Sequence, residues 1–376
     1  MALSRALPVA LLITIAQATA LIAQGDSART TVGGYGEIHY TNDTGPDSPG
    51  GVNVKRFVLY LGHAFSDRIA LRSELELEDA RLEGGADGGE LALEQLYLDY
   101  RVGESTVIRT GLVLIPVGIL NETHEPPTFN GVARPTFERD VIPATWREIG
   151  VGIAGTASVS AGITYRLYLV NGLTAAGFSG QTGIRGGRQG GHEATFANPS
   201  LTGRVEWARP GLRVGGSFWY GGSAAQDSVL GDGAFDAPVA LVSGDVRFDA
   251  GPWAVRGVVA WLDIADAEAI DARYASDVGR RIWGGYVEGS VNLLHYLVPA
   301  STHRLTAFAR YERFDTHHKV PSGIPRAASY DRSLSTFGLG YKPLWNVVFK
   351  ADYQVRRDAG DADEGETLAL GMGFQF

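Results

Sequence analysis

Three glutamates at alternate positions are the residues best placed to do chemistry. The run SELELED spaces Glu74, Glu76 and Glu78 two residues apart, so a strand would present all three carboxylates on one face. Neighbouring carboxylates suit acid–base catalysis or a divalent-ion site. We favour another interpretation, in which they line a polar lumen and pair with arginines on adjacent strands. No His or Asp stands at a fixed ligand spacing, so no metal site and no cofactor are predicted.

A second concentration of charge lies in one long polar segment, residues 117–148, which contains four prolines. Such a composition excludes helix or strand through most of it, and a loop of this length is usually functional. If it folds into a channel, its charges would set selectivity. We predict a constriction formed by Arg134, Arg139, Arg147, Glu138 and Asp140. In the alternative, the arginines pair with neighbouring acids and only hold the loop.

The elements that must position these residues are strands, because apolar and polar residues alternate from Thr31 to Phe376. Turn signals separate about 16 such segments. Short connections alternate with long ones, as expected of an antiparallel transmembrane β-barrel with short periplasmic turns and long external loops. Residues 117–148 would be the third external loop, folded inward.

The final segment, GETLALGMGFQF, shows the alternation clearly. One face is predicted to meet lipid and carries Leu368, Leu370, Met372, Phe374 and Phe376. Phe376 resembles the C-terminal aromatic that the barrel-assembly machinery reads in outer-membrane proteins.

Residues at the intervening strand positions would line a lumen. Because many of them are charged, that lumen must contain water. With about 16 strands the interior is wide enough for water. The predicted lining residues are Arg56, Arg72, Glu74, Glu76, Glu78, Arg109, Arg166, Arg304 and Arg310.

The N-terminal residues predict export. Arg5, an apolar run from Ala6 to Ile15 and the small residues that follow match a signal peptide over residues 1–23, cleaved after Ala20 or Ala23. Residues 24–376 would then form a single barrel domain in the outer membrane of a Gram-negative bacterium. No later segment has the uninterrupted apolar length of a membrane-spanning helix.

Composition narrows the partners further. The formal net charge of −9 argues against nucleic acid, whose phosphates need a basic surface. The remaining partners are the lipid bilayer and small ionic or hydrophilic solutes.

Several stretches resemble the phosphate-selective porin O and P family over roughly residues 30–155: RFVLYLGHAF, LRSELELED, LYLDYRV, IRTGLVLIPVGI and RPTFERDVIPATWREIGVGIAG. The resemblance implies a homotrimer of 16-stranded outer-membrane porins that pass phosphate or polyphosphate, using lumen arginines and a lysine cluster on the constriction loop. This chain has no lysine between residues 117 and 148.

The leading prediction is therefore a non-enzymatic porin for passive diffusion of small solutes or ions, including anions such as phosphate. Two alternatives stay open from the sequence: a barrel hydrolase that assembles its catalytic groups from different strands, and a non-conducting structural barrel. The Gly-rich GVGIAG near Gly150 is not a nucleotide site, because a strand and not a helix follows it.

Overall fold

The computed structural model describes residues 29–43, 50–80, 89–224, 236–360 and 365–376. The predicted signal peptide, residues 1–23, lies outside the described residues. The described part forms sixteen antiparallel strands closed into one barrel, which confirms the predicted fold class. The strands are β1 Thr30–Asp43, β2 Gly51–Ala64, β3 Ile69–Glu78, β4 Leu91–Arg101, β5 Thr106–Leu114, β6 Arg147–Ser158, β7 Ile163–Val170, β8 Ser200–Arg209, β9 Leu212–Gly221, β10 Val239–Ala250, β11 Trp253–Ile264, β12 Arg281–Asn292, β13 Arg304–Lys319, β14 Asp331–Leu344, β15 Val347–Asp358 and β16 Gly365–Gln375.

Each strand pairs with its neighbours in sequence, and β1 closes the barrel against β16. Tyr35 stands opposite Gln375 and Asp43 opposite Thr367 in that last pair. Closure leaves no sheet edge, so every backbone ladder is satisfied within the barrel.

The barrel is apolar outside and charged inside. On β16 the outward side chains include Leu368 and Leu370, which are 42% and 46% exposed, whereas the intervening Ala369 is buried. Met372, Phe374 and Phe376 continue that outer face. An exposed apolar surface around a polar interior is the arrangement that lipid requires.

The connections differ between the two ends of the barrel. At one end the turns span only a few residues, apart from residues 293–303, which include the helical turn Leu294–Leu297. At the other end lie longer segments, among them loop 3 (residues 115–146), loop 4 (residues 171–199) and residues 265–280 with the helix Ala267–Tyr274. Among the described residues, no helix has the length and apolar character to cross a membrane.

Loop 3 folds into the barrel. It contains the short helix α1, Thr136–Asp140, and a 3₁₀ turn at Pro126–Thr128. Two glycines on the inner face of β16 make room for it: a Cβ on Gly373 would lie 2.3 Å from Pro126, and one on Gly371 would lie 2.9 Å from Val132. The loop is two residues earlier at each end than the predicted 117–148, because Arg147 and Glu148 pair with β5 as the start of β6.

Part of the interior is a packed apolar core, where an open, water-filled lumen was predicted. Loop 3 and loop 4 pack their apolar side chains against inward residues of β4 to β7 and of β9 to β14. The cluster includes Phe137, Trp146, Phe178, Trp219, Leu241, Ile264 and Phe314. The indoles of Trp146 and Trp219 lie 4.4 Å apart between ring centroids. This core holds loop 3 inside the barrel.

Candidate functional site

Loop 3 is anchored to the barrel wall by Glu138. One carboxylate oxygen accepts hydrogen bonds from the backbone N–H groups of Ile119 and Leu120, at 3.0 and 2.8 Å. The Tyr286 hydroxyl of β12 donates to the other oxygen at 2.8 Å. Gly118, with φ +75°, lets the backbone approach, because a Cβ there would lie 2.8 Å from Glu138 Oε2. Burial raises the pKa of Glu138, and the three donors oppose that shift.

Further anchors come from charged residues on β12, β13 and β15. Glu312 Oε2 accepts the backbone N–H of Phe137 at 2.8 Å, and Glu288 Oε1 accepts from the Asn130 amide at 2.9 Å. The Lys350 ammonium donates to the carbonyl of Gly131 at 2.7 Å. Because these wall charges are buried and each has a partner, this side of loop 3 is fixed.

The opposite side of loop 3 faces a polar cavity of about 630 Å³. Its other walls are β1 to β4 and the Gly-rich part of loop 4. Seven of the described lining residues are Lys or Arg and four are acidic. The cations are Lys55, Arg56, Arg134, Arg139, Arg147, Arg185 and Arg188, and the acids are Glu37, Glu76, Glu78 and Glu90.

Arg134 and Arg147 carry buried N–H groups without a hydrogen-bond partner in the described part of the chain, and Arg56 Nε lacks one too but is ion-paired with Glu37. Among the described residues, Nε and Nη2 of Arg134 and Nε of Arg147 have no hydrogen-bond acceptor. An unsatisfied buried guanidinium is costly unless an acceptor such as an anion or water reaches it. These groups and the excess of cationic side chains make the surroundings of the cavity electropositive, which favours an anionic solute.

Loop 4 forms the outer rim of the cavity with two arginines that the sequence analysis missed. Arg188 donates to the carbonyl oxygens of Pro143 and Thr145 at 2.9 and 3.2 Å, and Arg185 donates to that of Ala144 at 2.8 Å. Burial, followed by the charges of Arg185 and Arg147, lowers the pKa of Arg188. The signal in the sequence was RGGRQGG, two arginines in a glycine-rich loop.

The predicted constriction residues separate into two groups. Arg134, Arg139 and Arg147 line the cavity. Glu138 and Asp140 do not reach it: both are buried, and Asp140 accepts from Arg139 Nε at 2.8 Å. Successive residues of a helical turn point about 100° apart, so α1 directs Arg139 and its acidic neighbours to different sides.

The predicted lumen residues all lie on inward positions, but in different surroundings. Arg56 forms ion pairs with Glu37 at 2.6 Å and Glu76 at 3.1 Å, and Lys55 with Glu78 at 2.9 Å. These pairs favour the lumen-wall interpretation of two of the three glutamates. The third, Glu74, is buried against loop 3.

The remaining predicted arginines are distributed around the barrel. Arg109 pairs with Asp99 and Arg166 with Glu122, each at 2.8 Å. Arg310 is buried between Glu288 and Glu312. Arg72 stands opposite Tyr97 in the β3–β4 register, and Arg304 is exposed at the start of β13.

Known proteins match this chain in sequence and in fold. An uncharacterized protein of Aquifex aeolicus is 36% identical over 359 residues, a match that spans 92% of this chain and 80% of that protein. No protein-family model matches the chain.

Solved structures share the barrel at low sequence identity. Salmonella typhi OmpF, in a complex with daunomycin, is 12% identical with a TM-score of 0.59, and the match covers 92% of this chain and 97% of that one. OmpT of Vibrio cholerae, an outer membrane protein, has a TM-score of 0.56 as a loop-deletion mutant, at 12% identity over 93% of this chain and 100% of that one. Its trimer form has a TM-score of 0.55 at 13% identity, over 93% of this chain and 100% of that one. These likenesses show the fold.

Proposed function

The chain belongs to the same family as the uncharacterized Aquifex aeolicus protein, and we propose that it is an outer-membrane porin that passes small hydrophilic solutes with a preference for anions. The observation that carries the proposal is the polar cavity beside loop 3, where seven cationic side chains face four acidic ones. No enzymatic step is proposed.

The selectivity mechanism is electrostatic. A cation excess in a narrow, partly desolvated passage lowers the energy of an anion and raises that of a cation. Arg134 and Arg147 line the cavity, so their guanidinium charges act on an anion that passes through it. Arg134, Arg139 and Arg147 form the proposed selective part of the constriction; Glu138 and Asp140 act behind it as supports.

Phosphate is the first anion to test. The stretch RPTFERDVIPATWREIGVGIAG, which resembles the phosphate-selective porin O and P family, contributes all three of these arginines. Loop 3 lacks lysine, so any phosphate preference here would depend on guanidinium groups, which bind phosphate oxygens in a bidentate manner.

The test is single-channel recording of the refolded chain in a planar bilayer under a KCl gradient, followed by addition of phosphate. We expect discrete open steps and a reversal potential shifted from zero towards the equilibrium potential of chloride. The chloride current should fall when phosphate occupies the cavity. Open steps with a reversal potential shifted towards the equilibrium potential of potassium would be consistent with a pore but would contradict the anion preference. Absence of conductance from a folded barrel would overturn the porin proposal and direct attention to the hydrolase or the non-conducting barrel.

Outer-membrane residence, a homotrimer and recognition of Phe376 by the barrel-assembly machinery complete the proposal. The outward apolar face and the barrel fold shared with outer-membrane proteins support the location. The trimer form of the Vibrio protein supports the assembly. Cross-linking of the protein in outer-membrane vesicles should give a trimer band, and a monomer band alone would contradict the homotrimer. Phe376→Ala should reduce the amount of folded barrel in those vesicles, and an unchanged amount would contradict recognition of Phe376.

A further inference from the structure

Three buried side chains with metal-ligating atoms meet where loop 3 touches β3 and β4. His124 of loop 3 lies 3.2 Å through Nε2 from Glu94 Oε2 and 3.5 Å from Glu74 Oε1. One ligand atom from each residue lies within 4.8 Å of the others, and none of the three side chains is more than 3% exposed. We propose that His124, Glu74 and Glu94 hold a divalent transition-metal ion, with zinc as the best fit, that ties loop 3 to the barrel wall.

The cluster leaves polar atoms unsatisfied in a way that points to a ligand. A single imidazole N–H cannot serve two carboxylates at once. Glu74 Oε1 and Glu94 Oε1 are buried without a hydrogen-bond partner among the described residues. The Tyr35 hydroxyl, on a fully buried side chain whose ring centroid is 6.0 Å from that of His124, also lacks one there. Buried atoms of this kind need an ion or a water.

The separations already suit a metal ion. Zinc sits about 2.0–2.2 Å from imidazole nitrogen and carboxylate oxygen, which places neighbouring ligands of a tetrahedron about 3.4 Å apart. The two distances from His124 Nε2, 3.2 and 3.5 Å, bracket that value. An ion could therefore enter with small side-chain movements.

The surrounding groups orient the ligands as metal sites require. His124 Nδ1 is 3.0 Å from the carbonyl oxygen of Asn121, which fixes the ring and directs Nε2 at the carboxylates. The Asn121 amide is itself held by the carbonyls of Ile115 and Trp146, at 2.6 and 2.8 Å. Gln95 donates to the second oxygen of Glu74 at 2.5 Å.

Charge and donor type select the ion. Two carboxylates and a neutral imidazole balance a divalent charge inside a buried site. Magnesium and calcium prefer oxygen ligands alone, whereas an imidazole nitrogen favours zinc and its first-row neighbours. Arg147, 3.8 Å from Glu94, opposes the ion and limits its affinity.

The test is calorimetric titration of the refolded, detergent-solubilised chain with ZnCl₂, after treatment with EDTA and without a polyhistidine tag. We expect one zinc ion per chain. His124→Gln and Glu94→Gln should weaken binding by about 100-fold or more, because they remove ligands whose outer-shell partners alone are worth 10–100-fold. His39→Gln is the matched control: it lies in the same barrel, 3.1 Å from one carboxylate, Glu37, and should retain the wild-type stoichiometry and affinity. Heat-modifiable gel mobility verifies that each variant is folded.

A second measurement uses only the wild-type chain. Cobalt(II) bound by nitrogen and oxygen in a four-coordinate site should give an intense visible absorption that one equivalent of zinc abolishes. Zinc binding that His124→Gln leaves unchanged would overturn the proposal, as would a wild-type chain that binds neither ion stoichiometrically. Both readouts are independent of conductance, so they succeed or fail separately from the porin proposal.

Discussion

The two sides of loop 3 use the same kinds of residue for opposite purposes. On the anchored side, toward β12 to β15, charged groups have hydrogen-bond partners, as at Glu138 and Glu312. On the cavity side, toward β1 to β4 and loop 4, cations outnumber acids and Arg134 keeps unpaired N–H groups. Balanced charges make a support, and an excess of cations makes a binding surface.

The difference also explains how a polar loop can stand inside a barrel. The anchored side has apolar reinforcement as well, since Phe137 packs 6.3 Å from Tyr286 and 6.4 Å from Phe314 between ring centroids. A loop held by these contacts can present charges to the cavity without collapsing onto them.

Removing the anchor should give the largest effect. Glu138→Ala leaves the N–H groups of Ile119 and Leu120 and the hydroxyl of Tyr286 without their acceptor. Each unsatisfied buried group costs about 1–3 kcal/mol. The free energy needed to open loop 3 should therefore fall by about 3 kcal/mol or more, which raises the population of the open loop roughly 100-fold. Limited proteolysis with trypsin measures this through cleavage after Arg139, because Arg134 precedes a proline.

Glu78→Ala is the control for that experiment, since Glu78 lines the cavity and pairs with Lys55 while half-buried. Its effect on cleavage should be small, because partly exposed ion pairs contribute about 1 kcal/mol or less. Equal acceleration by both variants would contradict the division between the two sides of the loop.

The sequence predicted the barrel better than its contents. Alternation with a period of two and clear turn residues identified all sixteen strands, and length and proline content identified loop 3. The apolar core inside the barrel was missed, because an inward Leu241 or Ile264 looks like any strand residue until a loop covers it. The meeting of His124 with Glu74 and Glu94 joins residues 30 to 50 positions apart, which no local spacing reveals.

A smaller effect is expected where loop 3 rests on β16. Gly373→Ala places a Cβ 2.3 Å from Pro126, so the loop or the strand must shift. Such overpacking costs about 1–3 kcal/mol. We expect a lower urea midpoint for unfolding of the barrel in detergent micelles.

Gly340→Ala on the inner face of β14 is the matched control, because a Cβ there would meet nothing within 4 Å. Its stability should change by about 0.5 kcal/mol or less. If both alanines lower the midpoint equally, contact with loop 3 is not what requires glycine at position 373.

The smallest free-energy change is expected for a substitution on the cavity side, although the proposed function depends on that side. Arg134→Gln removes one charge and its unpaired donors. In a water-like medium a unit charge 4 Å away is worth about 1 kcal/mol, which favours an anion and disfavours a cation by about fivefold each. The anion-to-cation permeability ratio should therefore fall about 25-fold in reversal-potential measurements. Arg134→Lys keeps the charge and should preserve most of the ratio, while Arg313→Gln, on the outer face and paired with Asp331, should leave it unchanged. Arg134 forms no hydrogen bond or ion pair within the described part of the chain, so its loss should alter selectivity without the proteolytic opening expected of Glu138→Ala. A variant that opened the loop would assign Arg134 to the support instead.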